Sequence, residues 1–502
     1  MKQIRTVFAL LLIAALFVSA AVPAFAADDP LNAAADYVYR TVQTPQPGSV
    51  GGEWAVLGLA RSGYAVPQSW YDGYYAALEK YVASCGGVLS TRKYTEYSRT
   101  IVGLAAMGRD ARCVAGYDLT APLGDYDKTI YQGTSGPVWA LIALDSMDYP
   151  MPVCDGAAVP ATRQMYVDRL LNTQRENGGW GISASAGSTD VDMTAMALQA
   201  LANYAGQPKV MVAIERGLVF LSGAHDGAGG FSSFGATSSE STAQVIVALC
   251  ALGIDLDDAR FVKNGHTLTE NLLSYAAPGG GFCHTAGDGG NQMASEQALY
   301  ALAAIRCAEQ GKSLYRMGSA PLFTDLTGHP DLAAIEALAK QSVINGMGDG
   351  SFAPDATMTR AQFCTIVVKA LDLMPAETAD FSDVPAGTWY APYVGAAFRA
   401  GIVNGVGGGR FAPEGTITRQ EAATMIARAA KCCGLDTSVR DAADILARYS
   451  DGAAVADWAA ETLAFCLSAG LLDADGTAAA PLRPILRCEV ARGVYRLLNE
   501  VR

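Results

Sequence analysis

Charge is scarce in this 502-residue chain, at 17% of residues, and positive charge is the scarcer kind: 36 lysines and arginines stand against 49 acids, for a net charge of -13. Nucleic acid and anionic membrane surfaces both reward gathered Lys and Arg, so such a chain is suited to neither. Histidine occurs four times, at His225, His266, His284 and His329, with no nucleophile-His-acid arrangement of the kind hydrolases use. A Gly-rich phosphate loop and a Cys-x-x-Cys pair are both missing, and Cys283-His284 has no second ligand pair. On these grounds no cofactor and no metal is expected. Beyond residue 26 no apolar run approaches the ~20 residues that span a bilayer, so no transmembrane anchor is expected either.

What is present begins with an address. Lys2 and Arg5 precede an uncharged apolar run from Thr6 to Ala21, followed by Ala24-Phe25-Ala26. This reads as a secretory signal over residues 1–26. The eleven cysteines are scattered, and Cys250, Cys307 and Cys466 lie within apolar helical runs. Buried free cysteine behaves as a small hydrophobe, so reduced thiols in an oxygen-poor habitat are expected.

The last third repeats one pattern three times. The entries are Phe323-Thr324-Asp325, Phe381-Ser382-Asp383 and Tyr449-Ser450-Asp451, and Arg360, Arg419 and Arg487 follow their aspartates by 35, 36 and 36 residues. A proline, Pro354, Pro413 or Pro481, lies six before each arginine. The pattern resembles a triplet of S-layer homology domains, over residues 322–377, 378–440 and 446–502. That resemblance implies a pseudo-threefold helical triplet anchored to the wall of a Gram-positive bacterium by a secondary cell-wall polysaccharide bearing pyruvate ketals. The fixed fork of arginine suits such a carboxylate. The resemblance therefore points to Arg360, Arg419 and Arg487, with Asp383 and Asp451, and with Trp389 and Trp458 as platforms for the sugar ring. The first repeat has His329-Pro330 in place of the tryptophan, and the third lacks the Gly-x-Phe turn. One or two competent grooves are expected, and simple pairing of the arginines with Glu421 and Glu489 remains the alternative.

Residues 27–315 alternate uncharged apolar helical stretches with amphipathic ones. An all-round apolar helix belongs inside and an amphipathic one covers it, so six such pairs predict a mainly α fold, an (α/α)6 toroid. Gln174-Arg-Glu-Asn-Gly178-Gly-Trp180 resembles the repeat motif of terpenoid cyclases and protein prenyltransferases (the squalene cyclase repeat). Gly230-Phe231 and Gly281-Phe282 look like reduced copies of it. The resemblance implies structural roles for these residues. Residues 311–322 read as a short boundary of limited reach.

Three inner stretches align to place Asp192, Glu240 and Glu296 at one equivalent position, with Asp190 beside them. Either they cap helices, offsetting the helix dipole, or they form a carboxylate ring over an apolar funnel, the candidate site. Asp190-Val191-Asp192-Met193-Thr194-Ala195 is similar to the squalene-hopene cyclase acid motif, which would make Asp192 the acid, although Met193 departs from it. Protein prenyltransferases need zinc and diphosphate ligands that are not matched here. Animal cobalamin carriers use a similar toroid purely for binding. A surface protein displaying a ligand-binding toroid of unknown ligand therefore leads. The alternative is a wall-anchored polysaccharide hydrolase or lyase using Asp190, Asp192, Glu240 and Glu296.

Overall fold

The computed structural model describes residues 29–500 except 186, 234, 349 and 377–380. The secretory signal expected over residues 1–26 and the expected boundary between residues 377 and 378 lie outside the described residues. The chain divides into two compact units, separated between Ala320 and Pro321.

The first unit contains, among the described residues, twelve α-helices: α1 (Pro30–Thr41), α2 (Trp54–Ser62), α3 (Gln68–Ser84), α4 (Thr95–Ala106), α5 (Tyr126–Ile130), α6 (Ser135–Ser146), α7 (Arg163–Thr173), α8 (Val191–Leu201), α9 (Pro208–Ala224), α10 (Ser239–Leu252), α11 (Leu268–Ser274) and α12 (Gln292–Glu309). Even-numbered helices are inner. Each packs on the next, and α12 packs back on α2, so the ring closes. Burial explains the sorting: α10 is buried without a break from Ser239 to Leu249, whereas α3 buries only Trp70, Tyr74, Leu78 and Val82, a stripe with a period of four.

The glycine-aromatic turns join successive layers. Trp180 is fully buried; its indole N–H donates to the Leu170 carbonyl of α7 at 2.8 Å, and its backbone N–H donates to Thr194 Oγ1 of α8 at 2.9 Å. Gln174 Nε2 donates to the Ala213 carbonyl of α9 at 2.8 Å. Gly178 has φ +91°, and a Cβ there would sit 2.3 Å from the Arg216 carbonyl oxygen, so only glycine fits. Gly280, with φ +98°, meets the Ala33 carbonyl of α1 in the same way, which closes the outer layer. Phe231 and Phe282 are fully buried beside the corresponding turns.

Residues 311–320 do not form a free linker. The backbone N–H of Met317 donates to Ser146 O at 2.8 Å, Arg61 donates to Ser313 O at 2.7 Å, and Tyr315 is buried against Trp139, their ring centroids 6.1 Å apart. The segment covers the end of the ring where the inner helices finish.

The second unit holds α13 (Leu332–Lys340), α14 (Arg360–Ala370), α15 (Ala391–Arg399), α16 (Arg419–Cys432), α17 (Ala442–Leu446), α18 (Ala460–Ser468) and α19 (Arg487–Glu500). The long helices α14, α16 and α19 pack on one another in all three pairings. Each also carries the short helix of the following repeat: α15 lies on α14, α18 on α16, and α13, from the first repeat, on α19.

The sequence register now has a physical reason. At the start of each long helix the N–H groups of Ala361, Gln420 and Cys488 donate to the carbonyls of Pro413, Pro481 and Pro354, each belonging to the next repeat around the ring. The entry aspartates hold the turns before those prolines: Asp383 accepts from the N–H groups of Phe411 and Ala412, both at 2.8 Å, and Asp451 accepts from Ala479 and Ala480 at 2.7 and 2.9 Å. Replacing Asp383 with Ala leaves two amides of a left-handed turn unpaired. It should lower the stability of the second unit by about 1–3 kcal/mol, seen as a lower melting temperature; an unchanged melt would refute this role.

Candidate functional site

The first turns of α8, α10 and α12 gather at one end of the inner ring. Beside them stand two short antiparallel ladders, Ser232–Ser233 with Ala236–Thr237 and Phe282–Cys283 with Gly290–Asn291. Together they shape a cavity of about 320 Å³, whose polar lining includes Asp192, Ser233, Glu240, Gln244, His284 and Gln297 and whose apolar part includes Met196 and Met293.

The four sequence-predicted carboxylates separate here. Asp190 caps α8, accepting the Met193 N–H at 2.9 Å and the Ser233 hydroxyl at 2.6 Å. It lines a neighbouring cavity and not this one. Asp192 faces the cavity; its Oδ1 is buried without a hydrogen-bond partner, and burial pushes its pKa up to about 6 against the pull of the Ser241 and Ser233 hydroxyls. Glu240 is buried with both carboxylate oxygens 2.9 Å from His284 Nδ1, and it also accepts from the Ser239 hydroxyl at 3.1 Å. Glu296 is sealed behind the cavity: Oε1 accepts from the Gly51 N–H and Gln292, Oε2 has no partner, and burial raises its pKa to about 7.

The expected apolar funnel is not open. Beneath the cavity Gln244 reaches Gln297 at 3.1 Å and also Tyr300, and Gln199 ties into the same layer. Below that layer, Trp54 of α2 meets Trp139 of α6 at 5.1 Å between ring centroids, and Tyr300 at 6.0 Å. Helices α2 and α6 are not neighbours in the ring, so this contact crosses its axis. A polyprene of the kind handled by cyclases would need that space.

Sequence reasoning missed His284, Ser233, Gln244 and Gln297. A usable signal existed: Ser233 and His284 each stand two residues after a motif aromatic, Phe231 and Phe282, and both line the cavity. It also missed Glu53, which precedes α2 as a buried equivalent of the ring acids and is satisfied by Arg99 at 2.8 Å and the Tyr74 hydroxyl at 2.8 Å. Among the described residues of this unit, no three His, Cys, Asp or Glu side chains converge closely enough to hold a metal ion.

In the second unit the repeat arginines point into the seams between repeats. Arg360 donates to the Phe411 carbonyl and to Glu421, both at 3.0 Å. Arg419, only 1% exposed, donates to Glu489, to Ala479 O at 3.1 Å and to Asp473 O at 2.5 Å. Among the described residues Arg487 donates only to carbonyls, Phe352 O and Asn345 O, both at 2.8 Å. Glu421 and Glu489 do double duty, since each also accepts the backbone N–H at the start of its own helix, from Thr418 and Leu486.

A cavity of about 410 Å³ opens at the first of these seams, lined by Arg360, Asn404, Glu421, Arg428 and the 58%-exposed Trp458. Arg428 donates to the Ile402 carbonyl at 3.4 Å and has no carboxylate partner among the described residues; burial lowers its pKa. At the second seam the corresponding Arg496 is bound by Asp473 at 2.7 Å, which also holds Arg492. Trp389 is exposed and packs edge-on against Tyr390.

Residues 322–364 and 380–423 match the S-layer homology domain family. The chain is 31% identical over 180 residues to the exoglucanase XynX of Acetivibrio thermocellus, covering 36% of this chain and 16% of that one. It is also 31% identical over 180 residues to an amylopullulanase of Thermoanaerobacterium thermosulfurigenes, 36% and 10% of the two chains, and 30% identical over 183 residues to a surface-layer 125 kDa protein of Lysinibacillus sphaericus, 36% and 15%. The chain thus spans less than a fifth of the length of these relatives. Among solved structures, an unsaturated glucuronyl hydrolase from Bacillus sp. GL1 aligns with 57% of this chain and 97% of its own at 13% identity and a TM-score of 0.36. The chain carries S-layer homology domains and is located at the cell surface.

Glu296 gives the toroid a pH signature. Its folded pKa of about 7 lies above the unfolded value of 4.5, so between these values the folded state binds more protons. Stability is then full below about pH 4.5 and falls by roughly 2–3 kcal/mol as pH rises through 7. Glu296→Gln should flatten this slope in thermal unfolding of the whole protein and raise stability at pH 8; an unaltered slope would show that another group sets it.

Proposed function

We propose that this cell-surface protein is a wall-anchored receptor: its repeat triplet grips a pyruvylated secondary cell-wall polysaccharide, and its toroid takes a small hydroxyl-rich or cationic ligand at the mouth. The observation that carries the toroid reading is the lining of the mouth cavity. Two carboxyls, two glutamines, two serines and a histidine converge there with no lysine or arginine. Such a lining favours hydroxyls and amines and disfavours phosphates and carboxylates. The volume of about 320 Å³ suits one sugar ring or an amine of similar size.

For the triplet, what supports the reading is the cation left over at the first seam. Arg428, with Trp458 beside it, offers an anion a guanidinium that has no carboxylate partner among the described residues. Arg360 and Arg419 hold the repeats together while lending the seams positive potential.

A second reading, hydrolysis or elimination at a glycosidic bond, draws on Asp192. A carboxyl titrating near 6 is a suitable general acid, and the Glu240–His284 pair is a suitable base. Incubating the full-length protein with wall and culture extracts and following glycans and small molecules by mass spectrometry separates the two. Retention of an unchanged species supports the receptor. Consumption with a new product, lost on Asp192→Asn without a change in melting temperature, establishes the enzyme.

For anchoring, Arg428→Ala should weaken binding to purified wall polysaccharide about tenfold or more, the worth of one charge-assisted bond, while Arg496→Ala should leave it within about twofold. Equal effects of the two substitutions would overturn the assignment of the first seam.

A further inference from the structure

We propose that the seam where the third repeat meets the first holds a soft divalent cation, zinc or one of similar chemistry, between His329, Asp355 and Cys488. A ring nitrogen of His329, a carboxylate oxygen of Asp355 and the Cys488 sulfur all lie within 4.8 Å of one another. They come from three distant parts of the chain: the loop before α13, the turn after Phe352, and the first turn of α19. No local sequence pattern announces them, and only closure of the triplet brings them together.

This seam differs from its two equivalents where a fastening is needed. At the others a carboxylate on the following helix clasps the repeat arginine, Glu421 for Arg360 and Glu489 for Arg419. Here the equivalent position is Gln362, and among the described residues Arg487 donates only to carbonyls. The ligand set is likewise particular to this seam. The positions equivalent to Cys488 are Ala361 and Gln420, and His329 stands where the other repeats carry Trp389 and Trp458.

Nitrogen, oxygen and sulfur donors from three residues make a tetrahedral zinc-type site with one position left for water. His329 Nδ1 accepts the Asp331 backbone N–H at 3.1 Å, which leaves the ring proton of the neutral imidazole on Nε2, so ligation of a cation displaces that hydrogen bond or that proton. The Asp331 carboxylate is held by Arg492 at 2.6 and 2.7 Å and adds negative charge beside the ring. Because Cys488 and Asp355 lie in different repeats, a bound cation would staple the first repeat to the third.

The test is titration of the reduced full-length protein with Co²⁺, following the thiolate-to-metal charge-transfer absorption, with Zn²⁺ as competitor. One equivalent should bind with that band and raise the melting temperature of the protein. Cys488→Ser should abolish the band, Cys432→Ser/Cys433→Ser should keep it, and His329→Gln and the exposed Asp355→Asn should each weaken binding about tenfold or more. Absence of the band overturns the proposal, as does a band that survives Cys488→Ser. Should Cys488→Ser unfold the triplet, the other two variants decide: unchanged affinity in both places the metal elsewhere.

Discussion

A carboxylate near the N-terminal end of a helix is the constraint on which both units turn. Such an acid offsets the helix dipole and takes up amides that have no intrahelical partner, but once buried it must also be answered from outside. In the triplet the answer comes from the preceding repeat, so Glu421 and Glu489 start their own helices and fasten the neighbouring one through Arg360 and Arg419. In the toroid the answers grade away around the ring. Glu53 has Arg99 and Tyr74, Glu240 has His284, Glu296 has one satisfied oxygen, and Asp192 has an oxygen with nothing. An unanswered acid facing a cavity, as Asp192 does, is a group that a ligand could still satisfy.

Ring closure decides which end of the toroid can work. Residues 311–320 bring Tyr315 under the inner helices, and the Trp54–Trp139 contact crosses the axis above it. These aromatics convert a potential through-channel into a shallow cup with polar walls. The packing that stabilises the core thereby leaves no large apolar space inside the ring.

Periodicity along the chain exposed what depends on local geometry. The alternation of inner and outer helices, and the equivalence of Asp192, Glu240 and Glu296, follow from a repeat laid around an axis. What stayed hidden depends on which elements meet. His284 reaches Glu240 from the ladder before α12, Arg428 stands nine residues into its helix with no motif around it, and Glu53 sits before a helix whose start does not align with the later repeats. Register alone could not say that Asp190 turns back to cap α8 while Asp192 faces outward. That difference comes from the extended conformation of Asp190 as the residue preceding the helix.

The same logic explains why three similar seams need not do the same work. One residue decides between the first two: Asn404 stands where the third repeat has Asp473. With an aspartate there, Arg492 and Arg496 of α19 are neutralised within the protein, both sharing Asp473. With an amide, Arg428 keeps its charge facing a cavity. The two seams share one geometry of long helix, proline turn and buried arginine, but among the described residues only the first leaves a partly buried arginine on its long helix without a carboxylate partner.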